Sequence, residues 1–170
     1  MTTRIWTSAR DVISVRGPEA ESYLHSQVSQ NVDDMSDGES RLSFLLEPKG
    51  NIEGYFRISK FQESQFFLDT DPGFGAQLLT SLERFKLRTQ ADFELQQWKM
   101  VSVLGEWTPA DLGSKVMLVT SPWLCEDVVD VLGEDLEVDL PVCAPEEYER
   151  LRFECGLPVI GRELQVGGIC

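Results

Sequence analysis

A single histidine, His25, is all the imidazole this chain of 170 residues contains, and its four cysteines stand at positions 125, 143, 155 and 170 with no CxxC pair among them. Structural zinc sites are built from closely spaced cysteine and histidine ligands, so a metal centre is not expected. Cys125 and Cys155 read as small buried apolar residues on helices. Nor is there an apolar run of about eighteen residues, the length a membrane helix needs. The first residues, MTTRIWTSARDV, lack the apolar middle region of a secretory signal, and the expectation is a soluble, cytoplasmic protein.

Phosphate-cradling loops are also missing. Gly73-Phe74-Gly75 is a lone GxG at a helix start and Gly167-Gly168 lies at the end of the chain, so neither follows a strand in the manner of a nucleotide-binding turn. His25 has Ser26 and Ser29 for neighbours but no nucleophile elbow, and a solvated or capping role is expected for it. Cationic excess is absent as well. A net charge of −14 argues against broad electrostatic capture of nucleic acid or an anionic membrane, both of which need a positive face.

The charge is uneven. Residues 106 to 155 carry thirteen acidic side chains against Lys115, Arg150 and Arg152, a net of −10, whereas residues 41 to 90 carry seven basic and six acidic, a net of +1. An anion site is therefore expected in the middle segment.

Four segments place proline at or near the first helical position, where its missing N–H costs nothing. The first begins at Pro18, with Ala20, Tyr23, Leu24, Gln27 and Val28 on one face. The second begins at Asp71-Pro72, with Asp71 as the expected cap and Phe74, Leu78, Leu82 and Phe85 as its stripe. A third is expected after Ser121-Pro122, burying Leu124, Val128 and Val131 or Leu132 and stopping at Gly133. The fourth follows Ala144-Pro145, stripes Tyr148, Leu151 and Cys155, and stops at Gly156. Strands are expected at 12–15, 41–46, 52–61, 65–69, 92–96, 99–104, 115–119 and 136–139. Adjacent hairpins mixed with single helices give an α+β protein. The order from 42 to 139 is compatible with a ferredoxin-like sandwich.

Two stretches could carry chemistry. In Arg84-Phe85-Lys86-Leu87-Arg88 the cations alternate with apolar residues, so an extended chain would project all three on one side and form an anion site. In the hairpin FLLEPKGNIEGYFRI, residues 44 to 58, Glu53, Tyr55 and Arg57 share one sheet face while Ile52, Gly54, Phe56 and Ile58 share the other, which is the core face. The polar face could bind a flat polar heterocycle, although solvated alternation is the commoner arrangement. Gly54 on the buried side implies close approach by a neighbouring element.

Four segments together resemble the YgfZ-type folate-binding proteins, relatives of the glycine-cleavage T-protein, an aminomethyltransferase. They are DVISVRGPEAESYLHSQVSQNVDDM (11–35), LSFLLEPKGNIEGYFRI (42–58), FFLDTDPGFGAQLLTSLERFKLRTQADF (66–93) and YERLRFECGLPVIGREL (148–164). The resemblance implies a folate pocket and a ferredoxin-like middle domain, residues 42–139, inserted into a discontinuous first domain formed by 1–41 and 140–170. It implies tetrahydrofolate as ligand, with Glu53, Tyr55, Arg57, Asp71, Arg84 and Arg88 as the candidate contacts. It further implies a role in maintaining iron–sulfur enzymes and linked tRNA modification, without a turnover reaction.

Two departures qualify that inheritance. The T-protein branch carries a pair of aspartates just after the hairpin turn, whereas Gly50-Asn51-Ile52-Glu53-Gly54 keeps neither. Glu53 retains a carboxylate and is the one catalytic candidate, on a longer arm that would misplace a proton-transfer oxygen. The YgfZ signature KGCYxGQE is not present before Cys170, and the first domain is expected to be incomplete. The alternatives are a folate-dependent aminomethyl or one-carbon transferase, and an interaction scaffold that completes itself by pairing, for instance as a homodimer.

Overall fold

The computed structural model describes residues 2–62, 64–108, 116–119 and 128–170. Seven strands among these residues form one antiparallel sheet: β1 (Arg4–Arg16), β2 (Ser40–Leu46), β3 (Ile52–Lys60), β4 (Gln65–Thr70), β5 (Asp92–Leu104), β6 (Val116–Val119) and β7 (Val128–Gly133). Their spatial order is β2-β3-β4-β1-β5-β7-β6. The helices are α1 (Ala20–Gln27), α2 (Gly75–Glu83) and α3 (Pro145–Glu154).

The sheet is organised around β1. Its thirteen residues pair with β5 from Arg4↔Leu104 to Arg16↔Asp92, and its second half pairs on the other side with β4. The first half of that second edge is taken by the chain before α3, where Ile5 N–H donates to the Pro141 carbonyl and Cys143 N–H donates to the Ile5 carbonyl, each at 2.8 Å. The expected boundary at 41/42 thus falls in a chain whose first strand lies between β4 and β5 of the same sheet.

One face of the sheet carries the main core. Ile13, Val15, Phe56, Ile58, Phe66 and Leu68 point to it by the two-residue period of the strands, and α1 and α2 cover them with Leu24, Leu78 and Leu82. Gly54 sits under α2, where a Cβ would come within 2.7 Å of Leu78 Cδ1, so the close approach expected there is made by a side chain. α2 does not begin at Asp71. Asp11, buried on β1, accepts hydrogen bonds from the Gly73 and Gly75 N–H groups at 2.9 Å each and fills the capping role that Asp71 was expected to play. Phe85 lies beyond the helix and is exposed.

Several expected elements differ. Val128, Val131 and Leu132 belong to strand β7 rather than to a helix, because pairing with β5 splits the run by a period of two. Val131 joins Ile5, Val101 and Val103 on one face, while Leu132 joins Val12, Phe67 and Met100 in a separate cluster. Leu124 and Cys125 lie outside the described residues. Residues 92–96 and 99–104 form one continuous strand, and 136–139 form none: Leu136 is buried by an irregular segment. Cys155 is buried as expected but is disulfide-bonded rather than a free thiol.

Candidate ligand-binding cleft

The opposite face of the sheet is polar in a way a solvated face is not. Arg10 from β1, Tyr55 and Arg57 from β3, Asp69 from β4, Met100 and Ser102 from β5 and Asp130 from β7 all project to it. α3 and residues 157–160 lie across it. α3 starts after an extended Ala144, with Pro145 in its first turn, and sets Tyr148 against Trp6, the ring centroids 4.8 Å apart and nearly parallel. Gly156, at φ +68°, ends the helix and turns the chain back over the sheet. Asp71 then fastens this return, accepting from the Ile160 N–H at 3.1 Å and from the Arg10 guanidinium.

Between these elements lies a cavity of about 70 Å³ whose wall includes Tyr55, Arg57, Asp71, Met100, Tyr148 and Arg152. Beneath it runs a chain of ion pairs. Arg57 Nε donates to Asp69 Oδ1 at 2.8 Å and its Nη1 to Asp130 Oδ2 at 2.7 Å, while Arg10 Nε donates to Asp69 Oδ2 at 3.0 Å. Ser102 donates to Asp130 at 2.6 Å and satisfies the second oxygen. Arg57 is 3% exposed and Asp69 and Asp130 are each 1% exposed, so the alternation read from the hairpin is correct in its facing and wrong in its solvation.

The electrostatics follow from that burial. Burial alone would raise the Asp69 carboxyl, but the guanidinium groups of Arg57 and Arg10 outweigh it and hold the group below its usual value. Burial would likewise discharge Arg57, and Asp69 and Asp130 instead hold its pKa above the usual arginine value. Burial, with Asp71 nearby, pushes Tyr55 up to about 12; burial, with Asp130 nearby, pushes Tyr148 up to about 12. Both phenols are neutral and protonated at physiological pH.

Of the residues singled out in the sequence, Tyr55, Arg57 and Asp71 meet at the cleft. Glu53 and Arg84 do not: they pair with each other at 3.0 Å outside its wall. The run from 84 to 88 is a turn after α2 and not an extended strand, with the Lys86 N–H bonded to the Glu83 carbonyl and the Leu87 N–H to that of Phe85. The extended alternation that would project all three cations to one side is therefore not formed. Lys86 Nζ lies 5.0 Å from the Phe93 ring centre, and Arg88 is exposed. His25 Nδ1 accepts from the Val32 N–H at 3.3 Å, a local backbone role.

Sequence reasoning missed Arg10, Asp69, Asp130 and Arg152. Arg152 had a local signal: on α3 it falls one turn after Tyr148, on the same buried face.

No protein-family model matches this chain. A search of solved structures finds the glycine cleavage system aminomethyltransferase T from Bartonella henselae, with a TM-score of 0.70 and 18% identity over 95% of this chain and 54% of that one. The fold is shared with that protein. A curated protein of Haemophilus influenzae, itself uncharacterized, is 30% identical over 95 residues, which is 56% of this chain and 34% of the relative. The chain thus spans about half the length of the solved neighbour and matches about a third of the curated one. No helix among the described residues is long and apolar enough to cross a membrane.

The cleft wall carries two carboxylates. Both are engaged, Asp71 with Arg10 and the Ile160 N–H, Asp130 with Arg57 and Ser102. The wall offers a ligand the Tyr55 and Tyr148 rings, the Met100 thioether and the Leu42 side chain, beside the polar groups of Arg10, Asp71 and Arg152.

Proposed function

We propose that this cleft binds tetrahydrofolate and that the chain acts as a YgfZ-like folate-binding accessory protein rather than as an enzyme. The observation that carries the reading is the cleft itself: Tyr55 and Tyr148 beside Met100 and Leu42, over a buried and internally ion-paired set of charges, within a fold shared with an aminomethyltransferase T. The sequence resemblance supplies the ligand, and the aromatic and apolar wall suits a flat heterocycle. The accessory role in iron–sulfur enzyme maintenance and tRNA modification comes from the same resemblance.

A transferase reading would need a carboxylate free to move a proton. Glu53, its only candidate in the sequence, is paired with Arg84 away from the wall. Isothermal titration with tetrahydrofolate tests the proposal. Saturable heat is expected, and it should weaken at least about tenfold in Tyr55→Ala, which removes a ring from the wall. Heat indistinguishable from buffer dilution at millimolar ligand would overturn it.

A further inference from the structure

The cleft is smaller than the ligand its walls suit. At about 70 Å³ it has less than half of the roughly 150 Å³ that admits one benzene ring, so a bicyclic heterocycle enters only if part of the wall moves. Most of that wall stands on paired strands or on α3. The exceptions are Asp71 and the run Leu157, Pro158 and Val159, which is irregular chain lying across the sheet.

Residues 157–163 are bonded as a flap with a stem and a tip. Arg152 clamps the stem: its Nη1 donates to the Leu157 carbonyl at 2.7 Å, and its two terminal nitrogens donate to the Glu163 carboxylate at 3.0 and 3.1 Å. Between these points the chain is bonded to itself, the Val159 N–H donating to Glu163 Oε2 and the Val159 carbonyl accepting from the Arg162, Glu163 and Leu164 N–H groups. Such a turn moves as one piece. Its tip reaches the far side of the cleft at Ile160. Among the described residues, one hydrogen bond joins the flap to the sheet side there: the Ile160 N–H donates to Asp71 Oδ2 at 3.1 Å, while Arg10 holds the other oxygen. Ile160, 2% exposed, adds apolar burial to that bond. Gly161, at φ +86°, lies so close to the Phe74 ring that a Cβ would meet it at 2.6 Å. The floor of the cleft is fixed by buried ion pairs from three strands, so the tip is the join that opens at least cost.

We propose that residues 157–163 gate the cleft: the tip at Ile160 lifts from its latch on Asp71, about a stem that Arg152 keeps on α3, and a ligand larger than the closed cavity enters by that movement. The proposal rests on the folate reading of the same cleft and adds how the ligand gets in. A ligand that binds only the open form associates in proportion to the fraction open, so weakening the latch speeds its entry.

Hydrogen exchange and association kinetics test it together. In the wild-type protein without ligand, the Ile160 amide is expected to exchange at least about tenfold faster than the amides of Val12 to Val15, which lie in β1 between β4 and β5, and at a rate that urea below the unfolding transition leaves unchanged. In Asp71→Ala, exchange at Ile160 and the association rate constant of tetrahydrofolate should each rise at least about tenfold. Association is followed by tryptophan fluorescence, Trp6 being stacked on Tyr148 of the wall. Two results overturn the gate and leave folate binding standing: Ile160 exchange that matches the β1 amides in rate and urea dependence, or an association rate that Asp71→Ala leaves unchanged. Should Asp71→Ala fail to fold, the urea dependence in the wild type decides. Absence of tetrahydrofolate binding to either protein removes the folate reading, and the exchange at Ile160 then decides by itself whether the flap opens.

Discussion

Arg57 donates to Asp69 and Asp130 from a position with almost no solvent contact, whereas Arg84 and Glu53 form their pair with the arginine side chain 53% exposed. The two arginines look alike in the sequence and differ in what their loss would do. Removing one partner of a buried pair strands the other charge, so Asp69→Asn is expected to destabilise the fold by about 3–5 kcal/mol. Arg84→Ala should cost less, on the order of 1 kcal/mol, because solvent around the arginine screens the pair even though the Glu53 side chain is only 11% exposed. Urea denaturation measures both, and equal losses would refute the distinction. Period-two alternation told which face Arg57 takes. Its burial was not legible, because Asp130 lies seventy-three positions along the chain and Asp69 twelve.

Glu163 gives the residue scale a pH dependence. Its carboxylate accepts from Arg152 and from the Val159 N–H, and these hold its pKa down at about 2, below the ordinary 4.5. A depressed folded-state pKa stabilises the protein where the unfolded carboxyl is also ionised; that contribution is complete above about pH 5 and fades as pH falls toward 2. Thermal melts between pH 6 and 2.5 should show wild type losing stability faster than Glu163→Gln, which starts lower. Parallel curves would mean that Glu163 has no part in the acid response.

At the scale of elements, the helix starts carry the lesson. Asp71-Pro72 has the composition of a cap, yet the carboxylate at the start of α2 belongs to Asp11, on a strand sixty positions earlier, which no local pattern can report. Asp11→Ala is therefore expected to cost about 1–2 kcal/mol, and Asp71→Ala to spare α2 while loosening residues 157–160 from the sheet. Hydrogen exchange at the Gly75 and Ile160 amides separates the two effects. The β7 run was misjudged for a related reason. Its valines and a terminal glycine suit either element, and only pairing with β5 decides. Gly54 was legible, since a glycine among Ile52, Phe56 and Ile58 on a core face has a packing reason. Leu78, 1% exposed, has little room to move, so Gly54→Ala should cost about 1–3 kcal/mol through overpacking of α2.

For the whole molecule, the position of β1 decides what can fold alone. The order of elements between 42 and 139 suggests an autonomous middle domain, and the hairpins within it were read correctly as strands. The sheet order joins that segment through a strand outside it: β4 and β5 do not pair with each other, and each pairs with β1. Excising 42–139 would leave β2-β3-β4 and β5-β7-β6 as two three-stranded pieces with a missing strand between them. It would also remove Ile13, Val15 and Leu24 from the core and Arg10 from its pairs with Asp69 and Asp71. Loss of three such apolar side chains alone forfeits roughly 5–9 kcal/mol of burial, comparable to the total stability of an ordinary domain. The fragment 42–139 is therefore expected to show no cooperative thermal transition, and adding a peptide of residues 2–35 should restore one by supplying β1 and α1. A fragment that melts cooperatively as a monomer on its own would show that the middle segment is a domain in its own right and that β1 merely joins its edge strands.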